Sequence, residues 1–350
     1  MKRLLAIVIG LLVVLALAVL GGRTQAASAK PQAGSVVGTG ATFPFPLISK
    51  WIPAVDNALG IKVTYSATGS GAGIAQITAR TVDFGASDAP LSPDQLDACK
   101  GCVVIPWALA GMSVPYNIPG LNGRLRLNGT VLANIFLGSI TNWNAAAIKA
   151  LNPKLSLPDL KITPVYRSDG SGSTYAFTDY LSAVSPQWKS KVGRNTSVNF
   201  PAGTGARGSS GVAGVVKSTE GALTYVDAAY SITNKFQFAL IQNRAGGFAT
   251  PGIRGVTAAL SQLPKKVTNL SQLKIVDPPK SAGRRAYPIS TFTYVIVPTS
   301  SGDNAQTLRQ FIYWAVTSGQ KFGPPLLFAP LPKTVLAFNY KQIKKIQSGT

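Results

Sequence analysis

The chain has 350 residues, 46% of them hydrophobic and 13% charged, a length that suits two domains and a balance that excludes disorder. With 34 Lys and Arg against 12 Asp and Glu, its formal charge is +22. The cations are dispersed, "KQIKKIQ" near the end is the nearest approach to a basic run, and no zinc-finger or RNP-like motif occurs, so the charge reads as a field that steers anions or keeps the protein soluble and not as a nucleic-acid footprint.

The opening "MKRLLAIVIGLLVVLALAVLGGRTQAASAK" has a basic start, an apolar stretch from Leu4 to Leu20 and then small residues. This is the form of a secretory signal over 1–29, cleaved after Ala29, with an uncleaved anchor as the alternative. Next comes "GTGATFPFP" at 38–46, a Gly/Thr-rich turn ahead of a helix-like segment. "IKVTYSAT" alternates as a strand does, and "GSGAGIAQITAR" then reads as a helix with Ile74 and Ile77 inward. "VDFGASDAP" is a strand running into a turn, followed by a helical "SPDQLDAC". Asp88, at that strand's end, either caps the helix or faces a ligand.

The two cysteines, Cys99 and Cys102, lie in "DACKGCVV" between that helical pattern and the strand-like "VVIPWAL". In an oxidising compartment the pair reads as a local structural disulfide. A redox CxxC should follow a strand and open a helix, the reverse of this order; free thiols or a metal are the remaining readings. With no histidine in the chain, zinc lacks its usual partners and catalysis its commonest base.

"VLANIFLG" and "AAAIKALN" are helical, and "ITPV" is a short strand. It feeds "YRSDGSGST", in which Arg167 and Asp169 precede a Gly-Ser-Gly-Ser turn, and "TYAFTDYLSAV" continues as a helix. Unpaired backbone N–H groups and the positive end of a helix dipole meet at such a turn, which suits an anion. "GVAGVVKSTE" reads as a helix, "GALTYVDAAY" as a strand, and the glycine-rich ground at 243–255 as a surface loop. "TFTYVIVP" is strongly β, and "NAQTLRQFIYWAVTSGQKFG" reads as the longest amphipathic helix. Alternating strands and helices argue for an α/β class. No nucleotide signature is present.

"GTGATFPFPLISKW", "SATGSGAGIAQI", "TVDFGASDAPLS", "LGSITNWN" and "YRSDGSGSTYAFTDYL" resemble, in order, the motifs of the phosphate-binding proteins that serve phosphate ABC importers, and "AYPISTFTYVIVP" resembles that family's return crossing. The resemblance runs from about Gly38 to Tyr230; 235–285 and the tail after 335 match poorly. It implies a two-lobed periplasmic-binding-protein fold, hinged lobes each with a mixed sheet flanked by helices. Lobe I would be 30–113 plus 288–350, and lobe II 114–287. It implies a monomer that captures phosphate outside the cytoplasm, without cofactor or metal, and hands it to a membrane permease.

By motif, the resemblance places phosphate against Thr42, Phe43, Ser70, Asp88, Arg167, Ser171, Gly172 and Ser173. Two departures stand out: Ser173 where the family more usually has Thr, and a "GSGAG" less rich in serine. Asp169 is expected beside the Arg167 guanidinium, orienting it, with a plain turn Asp as the alternative. A buried Asp88 carboxylate would accept a hydrogen bond from a P–OH, which sulfate lacks. Other functions are another oxyanion such as sulfate or molybdate, or a surface or adhesion role. A phosphatase would need an activated nucleophile or a metal cluster, and the sequence offers neither.

Overall fold

The computed structural model describes residues 34–349, so the expected signal segment 1–29 lies outside the described residues. Among them, no helix is long and apolar enough to cross a membrane. The strands are β1 (Ser35–Gly40), β2 (Lys62–Ser66), β3 (Phe84–Ser87), β4 (Cys102–Ser113), β5 (Arg126–Leu127), β6 (Thr163–Arg167), β7 (Thr204–Ala206), β8 (Ala222–Leu223), β9 (Val226–Asp227), β10 (Leu240–Gln242), β11 (Phe248–Ala249), β12 (Ser290–Pro298) and β13 (Phe328–Ala329).

They fall into two groups, which give the two-lobed α/β architecture. A seven-stranded mixed sheet runs β13-β4-β12-β3-β1-β2, with β9 added to the end of β4. There β1 lies parallel to β2 and β3, while β12 returns antiparallel to β3 and β4. The other group comprises two three-stranded sheets, β11-β10-β5 and β7-β6-β8, in which β6 is parallel to both its neighbours.

Periodicity decides which face of each element goes inward. The Phe45–Leu59 helix buries Leu47, Ile48, Trp51 and Val55 and stops at Gly60, whose φ of 69° suits glycine. All twelve residues of β4 are buried, as the uninterrupted apolar run "CVVIPWALAGM" demands of a strand covered on both faces. Between sheet and helices Phe84 meets the rings of Tyr65, Trp107 and Phe311, and Trp51 meets Trp107. In the second group Phe136, Phe177, Phe200 and Tyr225 stack into one cluster. Cys99 and Cys102 form a disulfide, and Arg80 ties its loop down by donating to the carbonyls of Cys99 (2.7 Å) and Lys100 (2.9 Å).

Three expectations change. "GALTYVDAAY" is not one strand. It gives β8 and β9, which join different sheets, and then the Ala228–Thr233 helix, because Asp227 Oδ1 accepts the Tyr230 N–H at 3.0 Å and caps it. The helix expected over 304–323 is α-helical only at Ala305–Val316 and continues as a 3₁₀ turn, Ser318–Phe322. Gly319 is wedged beneath Trp51, whose indole N–H donates to its carbonyl at 2.8 Å, so the chain must bend there. The longest helix among the described residues is instead Phe45–Leu59, at 15 residues. The ground at 243–255 is a folded hairpin, not a surface loop. β10 and β11 pair antiparallel across it, and the buried Asn243 side chain accepts from Ala245 and Gly247 while donating to the carbonyls of Gly283 and Ala286.

Phe84 is the keystone of the first cluster, fully buried, with its ring filling the space that any side chain at Gly38 would claim. Phe84→Ala is expected to lose about 3–5 kcal/mol in urea denaturation; a loss under about 1 kcal/mol would show that the aromatic cluster repacks freely.

Candidate functional site

The carboxyl ends of five parallel strands supply the site, as is general where helices follow such strands. β1 leads to Thr42 and Phe43, β2 to Ser70, β3 to Asp88, β6 ends in Arg167, and β7 leads to Gly208. Ser70 and Gly172 open the Ser70–Thr78 and Gly172–Val184 helices, so both side the cluster with helix N-termini. Thr42, Phe43, Ser70, Asp88, Arg167, Ser171 and Ser173 are each at most 5% exposed, and Gly172 is buried with them. The Phe43 ring packs edge-on against Phe328.

Hydrogen bonds tie the residues before 113 to those after 166. Ser70 Oγ accepts the Gly172 N–H at 3.0 Å and the Asp88 N–H at 3.3 Å. A hydroxyl has two lone pairs and one proton. With both lone pairs engaged, Ser70 can only donate. Ser173 Oγ donates to Asp88 Oδ2 at 3.3 Å, and Arg167 Nη1 donates to Thr42 Oγ1 at 3.0 Å. Ser171 caps its helix by accepting the Thr174 N–H at 3.2 Å, which leaves its own proton to donate. The backbones come very close here: a Cβ at Gly172 would stand 2.5 Å from the Asp88 nitrogen, so only glycine permits the approach.

Arg167 is held on its far side by Asp169, Nε to Oδ1 at 2.7 Å and Nη2 to Oδ2 at 2.5 Å, a two-pronged pair with both side chains largely buried. Asp169 Oδ1 also accepts the Gly208 N–H at 3.0 Å. Burial pushes the Asp169 carboxyl up, but the hydrogen bonds and charge of Arg167 and the Gly208 N–H outweigh it and leave the group below the usual carboxylate range.

Asp88 behaves oppositely. Burial raises its carboxyl to about 7, although the Thr293 hydroxyl, the Arg167 charge and the Ser173 hydroxyl each pull it back. Its Oδ1 is buried and without a hydrogen-bond partner, so this carboxylate holds an unmet demand for a proton donor. It is not the helix cap: Ser92 takes that position, in a reciprocal capping box with Gln95. A cavity of about 780 Å³ also touches Asp88, but Leu91, Val103, Val104, Ile275 and Phe338 wall it. Arg194, Lys274 and Lys345 line it as well, Arg194 and Lys274 both paired with Asp179. Among the described residues no group of three His, Cys, Asp or Glu side chains could hold a metal.

Three contributors escape sequence reasoning. Tyr225 accepts the Arg167 N–H at 3.1 Å and shares a hydrogen bond with Thr174. Thr293, on the returning β12, donates to the carbonyl of Ser87 at 3.5 Å, one residue before Asp88, and its hydroxyl pulls the Asp88 carboxyl down. Ser209, at the start of the Gly208–Ser218 helix, lies 2.8 Å from Thr42 Oγ1. "RGSSGV" is one more Gly/Ser turn between strand and helix, and the same signal that marks "SDGSGST" could have found it.

Residues 25–318 match the model of a PBP superfamily domain. The chain is 41% identical over 304 residues to the phosphate-binding protein PstS of Xylella fastidiosa, covering 86% of this chain and 82% of that protein. It is 37% identical to the PstS of Haemophilus influenzae, covering 87% and 91%. Among solved structures it superposes on the phosphate-binding PfluDING protein with a TM-score of 0.69 at 22% identity, covering 87% of this chain and 92% of that one. A phosphate binding protein from Stenotrophomonas maltophilia gives 0.67 at 21%, covering 88% and 94%. At such identities these structures speak to fold.

The raised Asp88 carboxyl links stability to pH. The folded protein keeps this proton between about pH 4 and 7 where the unfolded chain has released it, so the group's contribution is complete below about pH 4 and lost as pH rises through 7. Asp88→Asn removes the ionisation. In urea titrations of the ligand-free protein, the variant should gain on the parent between pH 5 and pH 8. Asp227, also buried and raised, is raised in part by the Asp88 charge, so the difference between the two proteins carries that coupling as well. A pH-independent difference would mean that Asp88 does not titrate in this range.

Proposed function

The chain belongs to the PstS-type phosphate-binding proteins of the PBP superfamily, and we propose on that premise that it is an exported binding protein which captures inorganic phosphate between its lobes and delivers it to an ABC importer. Of the described residues we assign 34–113 with 288–349 to one lobe and 114–287 to the other. The end of β4, where Met112 and Ser113 pair with β9, and the segment entering β12 are then the two crossings between them.

The observation that carries this reading is the partnerless Asp88 Oδ1 in a ring of donors. Ser70 and Ser171 bring hydroxyl protons, Arg167 brings its guanidinium, and the backbone at Phe43 and Ser173 brings N–H groups; Thr42 and Ser173 line the site with hydroxyls bonded to Ser209 and Asp88, and Gly172, its N–H held by Ser70 Oγ, brings the helix start. An anion is stabilised by such a set, and Asp88 adds a condition: the anion must share a proton with it. Phosphate near neutral pH carries one, whereas sulfate carries none. A site built around such a bond rejects the analogue lacking it by roughly 10⁴–10⁵-fold.

Capture is by population shift: phosphate bridges both lobes, so it binds the closed form better and draws the protein into it. The proposed role involves no chemistry on the ligand, in keeping with a family of substrate-binding proteins and not of enzymes. The N-terminal signal-like segment and the family both support a place outside the cytoplasm, and the closed form would be what a permease recognises.

The test is calorimetric titration of the protein freed of bound anion, with phosphate and sulfate, at pH 8 and pH 5. At pH 8 phosphate should bind far more tightly than sulfate. At pH 5 a protonated Asp88 can itself donate to sulfate, so the discrimination should narrow; with no histidine in the chain, the buried carboxylates are the protein groups able to titrate there. In Asp88→Asn the selectivity should relax at both pH values. No heat with phosphate from the folded, anion-free protein would overturn the reading.

A further inference from the structure

We infer that Ser209 is a further anion-binding residue, one that donates its hydroxyl proton directly to the phosphate of the proposed site; the inference rests on that reading of the site. Ser209 is 1% exposed and begins a helix of eleven residues, Gly208–Ser218. Its Oγ lies 2.8 Å from Thr42 Oγ1. Distance alone leaves open which hydroxyl gives the proton, but the surroundings decide it. Thr42 Oγ1 already accepts from Arg167 Nη1 at 3.0 Å and from the Ser209 backbone N–H at 3.2 Å. Both of its lone pairs are thereby engaged, so Thr42 is the donor of the pair and Ser209 Oγ the acceptor.

It follows that Ser209's own proton has no acceptor among the described residues. A buried hydroxyl in that condition costs free energy unless something in the site accepts from it. What it faces is defined by its neighbours: Thr42, whose position Arg167 also holds, and Gly208, whose N–H is fixed on Asp169 Oδ1 at 3.0 Å. The Arg167–Asp169 fork therefore aligns a third helix start on the same point as Ser70 and Gly172. An anion oxygen there accepts from Ser209 and receives the field of that helix's N-terminal N–H groups as well. Thr42's proton can pass from Ser209 Oγ to the anion without disturbing Ser209's own bond.

A role confined to holding Thr42 would show the same contacts, so the experiment separates the two. Phosphate affinity is measured by calorimetry for the parent, Ser209→Ala, Ser209→Gly, Thr42→Val and the Thr42→Val/Ser209→Ala double variant, each shown folded by its thermal transition. Ser209→Ala and Ser209→Gly should each weaken phosphate roughly tenfold, and Ser209→Ala should weaken it again in the Thr42→Val background. Phosphate binding within about twofold of the parent in both single variants would overturn the inference while leaving the proposed function intact. So would a loss that vanishes once Thr42 is valine, which would make Ser209 a partner of Thr42 alone. Absence of phosphate binding in the parent itself would overturn both.

Discussion

Everything in the site hangs on one hydroxyl. Ser70 Oγ receives the N–H of Asp88 from its own sheet and the N–H of Gly172 from the opposite group of strands. Together with the Arg167–Thr42 and Ser173–Asp88 bonds and the Gly71 N–H on the Gly170 carbonyl at 2.9 Å, that oxygen fixes where the two halves meet, and because it accepts twice it is left able only to donate. The approach it requires is so close that position 172 must be glycine. Around this junction the carboxyl ends of the parallel β1, β2 and β3 in one sheet, and of the parallel β6 and β7 in another, deliver their turns, each set in register within its own sheet. The sheets are the frame; the turns are placed by it.

The electrostatics of the cluster differ from those of the chain. The whole molecule is strongly basic, yet the buried Arg167 is matched by Asp169, so the fork contributes geometry more than net charge. What remains to hold an anion is a set of oriented dipoles: hydroxyls oriented by their hydrogen bonds, Ser70 foremost with both lone pairs engaged, and helix N-termini. Dipoles fixed by other hydrogen bonds need no rearrangement when a ligand arrives. Within that set Asp88 is the outlier, a carboxylate whose ionisation burial opposes more than its neighbours favour it. Its cost is the reason to connect it with recognition and not with stability, because a stabilising role would have found it a full set of partners.

Much of this was legible from residues alone. "ITPV" followed by "YRSDGSGST" announced a strand, an anion-suited turn and a helix, and the structure has β6 and the Gly172–Val184 helix there. "VDFGASDAP" placed Asp88 at a strand end because alternating apolar residues stop at Ser87. What stayed hidden depended on distant contacts. The helical pattern at 304–323 breaks at Thr317, and just beyond it Gly319 is held by the indole of Trp51, 268 residues away in sequence. Asp227 divides an apolar strand pattern by capping a helix, a local signal masked by the β-forming residues around it. Thr293 and Tyr225 look like ordinary strand residues; their approach to Asp88 and Arg167 is a consequence of sheet order, which composition does not encode.

Ser209 shows why a hydroxyl's role cannot be read from its type. Serine at a helix start is ordinarily a cap, and Ser171 and Ser92 do cap their helices through their own oxygens. Ser209 makes no such bond. Its oxygen is turned instead to Thr42, and the N–H that a cap would satisfy is taken by Asp169 at Gly208 and by Thr42 at Ser209 itself. The helix start is therefore satisfied by residues of other strands, which frees the serine hydroxyl from local duty. A polar group released in this way, buried and with its proton unclaimed, is where a folded chain has affinity to spend.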